Sequence, residues 1–277
     1  MRTGFHPAVQ AFVVALLCLL AAIALYPVVF MFLSAFKTSL DYMTNPVGLP
    51  NGFGYIENFQ AMIYRFDVPR LFGNTVWYIF LASLIAHLVS IPASFAFAKL
   101  NFPFRASLRT AMIATMIVPA ITLLVPSYVM MANWGIVNSY WSVVLIWAAM
   151  AVPGNVFLLS SLMRAIPGEI LEAARVDGAS YLEMLLRIAL PLSMPGLLTI
   201  TIFNVTAWWN DLLIPLVFLQ SDENKTITVA AATIVGRFSL DTPLLLTGLL
   251  FACIPPILVY IFLQSYIRRG LVIGALK

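Results

Sequence analysis

The chain has 277 residues, of which 62% are hydrophobic and only 9% charged, with a net charge of +4 at pH 7. Water-soluble domains carry about 25% charged residues, so a chain this poor in charge cannot cover a water-facing surface, and a free-standing soluble enzyme is excluded. The small positive balance gives no nucleic-acid footprint; the positive residues serve instead as markers of the cytoplasmic side of a bilayer.

A spanning helix needs about 20 apolar residues, and uncharged runs locate the spans in chain order. The first is 11–35, preceded by Arg2. It is longer than the roughly 7–15 residues of a signal-peptide core, and Tyr26-Pro27 is no small-residue cleavage site, so it reads as a retained transmembrane helix. Residues 37–70 form a long loop with turn formers at Asn45-Pro46, Leu49-Pro50 and Asn51-Gly52. Its Tyr42, Phe53, Tyr55, Phe59 and Tyr64 suit an interface, and the loop reads as a short lateral or capping segment. The second span is 71–98, with His87 inside it. Residues 110–163 contain no Asp, Glu, Lys, Arg or His. They supply a third span, 110–132, a turn at 133–139 and a fourth span, 140–162. The fifth span is 194–219 and contains Asp211; the sixth is 243–267. Cys18 and Cys253 lie in apolar runs and imply neither a disulfide framework nor a metal site.

Six spans place both termini on one side, and the basic residues say which. With the N-terminus inside, ten Lys and Arg fall on inner segments and five on outer ones (Lys37, Arg65, Arg70, Lys225 and Arg237). The expected topology is therefore an inner-membrane protein with both termini and the 167–191 segment in the cytoplasm.

That segment, PGEILEAARVDGASYLEMLLRIALP, is polar and helix-forming between apolar runs. Pro167 suits the first position of a helix, Glu169 the positive end of its dipole, and Gly178 a left-handed cap. Ser180 with Glu183 fits a capping box that opens a second helix. Ile170 and Ala174, four apart, share a face that could enter a groove. A short knob fixed to a bundle at both ends can transmit force.

Glu172-Ala173-Ala174, Gly178, Ile188 and Leu190-Pro191 resemble, at every position, the EAA loop of ABC importer permeases. The resemblance extends to the start of the second span at Leu71–Asn74, to Trp209-Asn210-Asp211 with Pro215-Leu216, and to the tail. Together these look like the carbohydrate-uptake branch, similar to maltose-type permeases. The resemblance implies an all-α membrane protein with six transmembrane helices, a type I importer domain over 71–266. It would be preceded by the first span (1–36) and an extracytoplasmic loop (37–70), and followed by a cytoplasmic tail (267–277). Residues Glu172, Ala173, Ala174, Arg175, Asp177, Gly178, Ile188, Leu190 and Pro191 would then couple to an ATPase, and Gly270, Gly274 and Lys277 would belong to a tail that contacts it. The implied partners are a second permease, two ATPase subunits, an extracytoplasmic binding protein, a sugar and the bilayer. The sequence has no GxxxxGK[ST] phosphate loop, so the chain is expected to be a non-catalytic subunit, with ATP and magnesium on the partner.

Asp211 is costly at membrane depth and so should face a cavity or a partner. With Trp209 and Asn210 it is a candidate for the translocation path or a gate; the other reading is an interfacial or subunit contact. His87 reads as a hydrogen-bonding group between helices. Pro119, Pro126, Pro153, Pro215, Pro255 and Pro256 are expected to loosen or kink their helices. A proton-coupled secondary transporter using Asp211 and His87 is the alternative, but it leaves the EAA segment unexplained.

Overall fold

Long apolar runs become long helices. The computed structural model describes residues 7–237 and 241–275, without the side chains of 234–237, 259–260 and 262–275. Helices α1 (Pro7–Ser34), α4 (Val68–Lys99) and α7 (Tyr140–Arg164) coincide with the first, second and fourth predicted spans. Each is long and apolar enough to cross a bilayer. Pro153 lies inside α7 without ending it.

A fourth such helix runs from Tyr181 to Asn210. It consists of α9 (Tyr181–Met184), one π turn (Leu185–Ala189) and α10 (Leu190–Asn210). Pro191 explains the π turn. Proline has no N–H and its ring clashes with the carbonyl four residues back. Leu190 N–H bonds Leu185 O, five residues back, so the helix widens for one turn and then continues. The second helix of the polar segment is therefore the start of the fifth span.

Two predicted spans are broken. The third, expected to be continuous over 110–132, is α5 (Arg105–Thr115), a 3₁₀ turn (Ala120–Leu123) and α6 (Leu124–Asn133), with a 94° bend between the halves. Pro119, with extended backbone at φ −61 and ψ 133, sits at the break. Pro126 falls in the first turn of α6, where a missing N–H costs little. The fifth span, expected to run to 219, stops at Asn210. Asp211 turns extended (ψ 117), and α11 (Leu213–Phe218) follows. The sixth predicted span lies in α13 (Thr242–Ala275), whose described stretch Thr242–Leu258 is apolar. The helix continues through Gly270 and Gly274 of the expected tail; Lys277 lies outside the described residues. The remaining helices are α2 (Ser39–Thr44), α3 (Glu57–Gln60, running into a π turn), α8 (Gly168–Val176) and α12 (Ile227–Arg237).

The chain divides into two compact units. One comprises residues 1–69 and 230–255. Here Lys37 is fully buried and donates to the carbonyls of Asn45 (2.7 Å) and Pro46 (3.1 Å). Asn58 donates to Ala35 O and Lys37 O. Phe36 packs on Phe32, Phe53 and Phe59. These bonds make 37–66 a folded segment, as a buried backbone requires. The other unit comprises 70–229 and 256–277. Its core is α7 against α10, joined by α4 and by the residues around α8.

Candidate functional site

The 167–191 segment is built by local rules. Helix α8 spans Gly168–Val176, with Pro167 one position earlier than expected, at the N-cap. Gly178 takes φ +88. Ala179 N–H bonds Ala174 O (2.9 Å) and Gly178 N–H bonds Arg175 O (3.1 Å), the paired bonds of a Schellman cap. An added Cβ at Gly178 would meet nothing within 4 Å, so glycine is required by its backbone angle and not by space. Ser180 then closes the expected capping box. Its hydroxyl accepts from Glu183 N–H, and the Glu183 carboxylate accepts from Ser180 N–H.

The segment is rooted in the core. Leu171, Met184, Leu185 and Ala189 are buried with Phe95 and Ala98 of α4 and Leu159 and Met163 of α7; Ala174, Ile188 and Leu190 pack against them. Lys99, the last residue of α4, donates to Ile166 O (2.5 Å) and Arg164 O (3.3 Å). It thereby satisfies carbonyls at the end of α7, next to Pro167. Leu171 is buried and Ala174 partly buried against the core, while Ile170 on the same helix is exposed. The outward face carries Glu172, Ala173, Arg175, Asp177 and Gly178, with Val176 88% exposed at its tip. Tyr181, under the Arg175 guanidinium, and Leu182 extend the exposed apolar surface. Pro191 is exposed.

His87 and Asp211 are each held by a residue of a neighbouring helix. His87 Nε2 lies 2.8 Å from Thr201 Oγ1. The Thr201 hydroxyl donates to Leu197 O, so the imidazole N–H is the donor to it. Asp211 accepts from Trp147 Nε1 at 2.7 Å and from the N–H groups of Leu213 and Ile214. The carboxylate thus ends α10 and caps α11. Trp208 is buried and stacks on Trp147; Trp209 is buried against Phe72; Asn210 is exposed and donates to Thr206 O. Of the three candidate gate residues, only Asn210 has an exposed side chain.

Sequence reasoning passed over Asn138, in left-handed backbone at φ +62. Its side-chain oxygen accepts from Gln220 N–H, Ser221 N–H and the Ser221 hydroxyl, pinning the loop after α11. Asn is the ordinary non-glycine choice for such a backbone, and the signal lay in its place within the 133–139 turn. Asn155 was read only as part of a kink at Pro153-Gly154-Asn155; its bond to Asn204 across α7 and α10 was missed, since two amides 49 residues apart carry no local pattern.

Residues 89–273 match the family described as binding-protein-dependent transport system inner membrane component. The chain belongs to this family. The permease is 32% identical over 222 residues to the melibiose/raffinose/stachyose import permease protein MelC of Bacillus subtilis, covering 80% of each chain. It is 29% identical to the arabinooligosaccharides transport system permease protein AraQ of Halalkalibacterium halodurans, covering 93% of each. In fold it matches a chain of a bacterial ABC transporter involved in the import of the acidic polysaccharide alginate. That match has a TM-score of 0.82 and 22% identity, covering 96% of this chain and 99% of the other. The permease thus has the all-helical fold of an ABC importer membrane subunit.

Proposed function

We propose that this permease is one of two membrane subunits of an ATP-driven carbohydrate importer in a bacterial inner membrane, with both termini and the 167–191 segment in the cytoplasm. Its partners are a second permease, two ATPase subunits that carry ATP and magnesium, and an extracytoplasmic binding protein. Residues 71–266 form the transporter domain, preceded by the first span and the extracytoplasmic loop 37–70. The tail 267–277, with Gly270, Gly274 and Lys277, contacts the ATPases.

One observation carries the reading: α8 is a short helix closed at its C-terminus by the Gly178 cap, with exposed Glu172, Ala173, Arg175 and Val176 and a root packed into the core. Val176, Tyr181 and Leu182 expose apolar surface where an aqueous segment gains nothing from it, unless a partner covers it. Glu172, Arg175 and Asp177 surround that surface and orient the contact. Movement of the ATPase subunits is delivered to α8 and passes through Leu171, Ile188 and Leu190 into α7 and α10. The break at Trp209–Asp211 lets the far end of α10 move as a gate. Names of relatives support carbohydrate as cargo: MelC is a melibiose/raffinose/stachyose import permease and AraQ an arabinooligosaccharides permease.

The test is purification of the tagged chain from its native membrane. Recovery of a second permease and a Walker-motif ATPase is expected; a chain that emerges alone and folded would sink the importer reading. The proton-coupled alternative gains no support, since His87 and Asp211 are each engaged by neutral partners.

A further inference from the structure

Helix α2 (Ser39–Thr44) begins soon after α1 ends at Ser34 and is tied back to it. The Tyr42 ring meets Phe30 edge-on, with centroids 6.4 Å apart, and Phe30 lies about one turn before the end of α1. The buried Lys37 ammonium, which sits between the two helices in sequence, holds the chain after α2 by the carbonyls of Asn45 and Pro46. Helix α2 is therefore fixed beside the last turn of α1. A helix of 28 residues is about 42 Å long, close to the thickness of a bilayer with its headgroups. The last turn of α1, with α2 beside it, then falls in a headgroup layer.

The surface of this segment is unlike that of a loop in water. Between Lys37 and Glu57 the one charged residue is Asp41. Both of its carboxylate oxygens accept from Asn51, at 2.8 and 3.3 Å. Leu40, Met43, Val47 and Leu49 are 67–73% exposed. Leu40 and Met43, three apart, share a face of α2, while Tyr42 is taken up by Phe30. Val29 and Phe32, near the end of α1, are exposed as well. Aliphatic surface of this kind gains nothing from water, and the spanning helix beside it brings hydrocarbon within reach.

We propose that residues 39–49 form a foot in the bilayer leaflet at the C-terminal end of α1, the outer leaflet in the proposed topology. Helix α2 sits among the headgroups, and Leu40, Met43, Val47 and Leu49 enter the acyl chains. The foot recognises hydrocarbon and not lipid charge, because Lys37 is turned onto carbonyls and the segment holds no other cation. A soluble protein arriving from the water phase is steered by charge, and the one charge here is already engaged by Asn51. A partner's spanning helix packs best on small residues, and this face carries Leu, Met and Val. Through the Lys37 clamp the foot sets the height of α1 in the membrane. The proposal requires that α1 cross the bilayer and stands apart from the importer reading.

The experiment uses the full chain, purified with the partners that accompany it and reconstituted in vesicles of phosphatidylethanolamine and phosphatidylglycerol. Cys18→Ser and Cys253→Ser remove the two native cysteines. Leu40→Cys, Met43→Cys or, as the aqueous control, Glu223→Cys then carries an environment-sensitive fluorophore. All three positions are exposed, so the label leaves packing intact. Emission at 40 and 43 is expected to be quenched by lipid spin-labelled high on the acyl chain and shielded from aqueous iodide, with the reverse at 223. The pattern should persist in vesicles of phosphatidylcholine alone. Leu40→Glu with Met43→Glu, read by a label at Val47→Cys, should abolish lipid quenching there while co-purification with the partners is retained. Iodide quenching at 40 and 43 without lipid quenching overturns the foot. So does shielding from both quenchers, which would assign the surface to a partner chain. Lipid quenching confined to vesicles that contain phosphatidylglycerol overturns it too, since headgroup charge would then be the ligand.

Discussion

Single residues carry the geometry of the 167–191 segment. Gly178 at φ +88 is the clearest. A non-glycine residue in left-handed backbone costs about 1–2 kcal/mol, so Gly178→Ala should lower the melting temperature slightly and partly uncouple transport. Gly178→Pro cannot adopt a positive φ and also loses the N–H that bonds Arg175 O. It should abolish uptake while leaving the protein in the membrane; an assay showing normal uptake would remove the coupling role. The same scale holds the Asp211 bond. Trp147 is 1% exposed and its indole donates to the carboxylate at 2.7 Å. Trp147→Phe keeps most of the packing and deletes the donor, so it should cost about 1–3 kcal/mol, read as a lower unfolding temperature in detergent.

At the scale of elements, caps and prolines decide where helices stop. Ser180→Ala removes the N-cap acceptor and should cost about 1 kcal/mol of local helix stability, visible as faster amide exchange at 181–184. Lys99 acts between elements: it ties the end of α4 to the last carbonyls of α7, at the root of α8. Lys99→Met preserves the stem but not the donor. The expected outcome is a lower ratio of solute moved to ATP hydrolysed, restored in part by Lys99→Arg. An unchanged ratio would reduce Lys99 to local capping. The breaks at Pro119 and Asp211 are also element-scale features. A kink at Pro119 was legible, because proline lacks the helical N–H donor; that the chain breaks there by 94° while α7 runs on through Pro153 was not. The break at Asp211 was not, because it depends on a carboxylate choosing Trp147 of another helix and two N–H groups over a continuous helix.

For the whole molecule, charge and apolar length decide that the chain lives in a bilayer, while the proposed function requires other chains. In the full assembly, covering the exposed Val176, Tyr181 and Leu182 surface should protect α8 from proteolysis; protection that does not depend on the ATPase would argue against docking there. Hydropathy read from the sequence placed α1, α4 and α7 to within a few residues, since a spanning helix must satisfy its backbone internally and show lipid an apolar face. The helix, glycine turn and capping box of the 167–191 segment were readable, because caps and turns are local. Only the tertiary structure packed Ala174 partly against the core and left Val176 exposed, merged α9 into the fifth span, and set Asn155 against Asn204. Each of those depends on which distant side chains meet, and a sequence fixes the periodicity of one helix more firmly than the rotation of that helix against its neighbours.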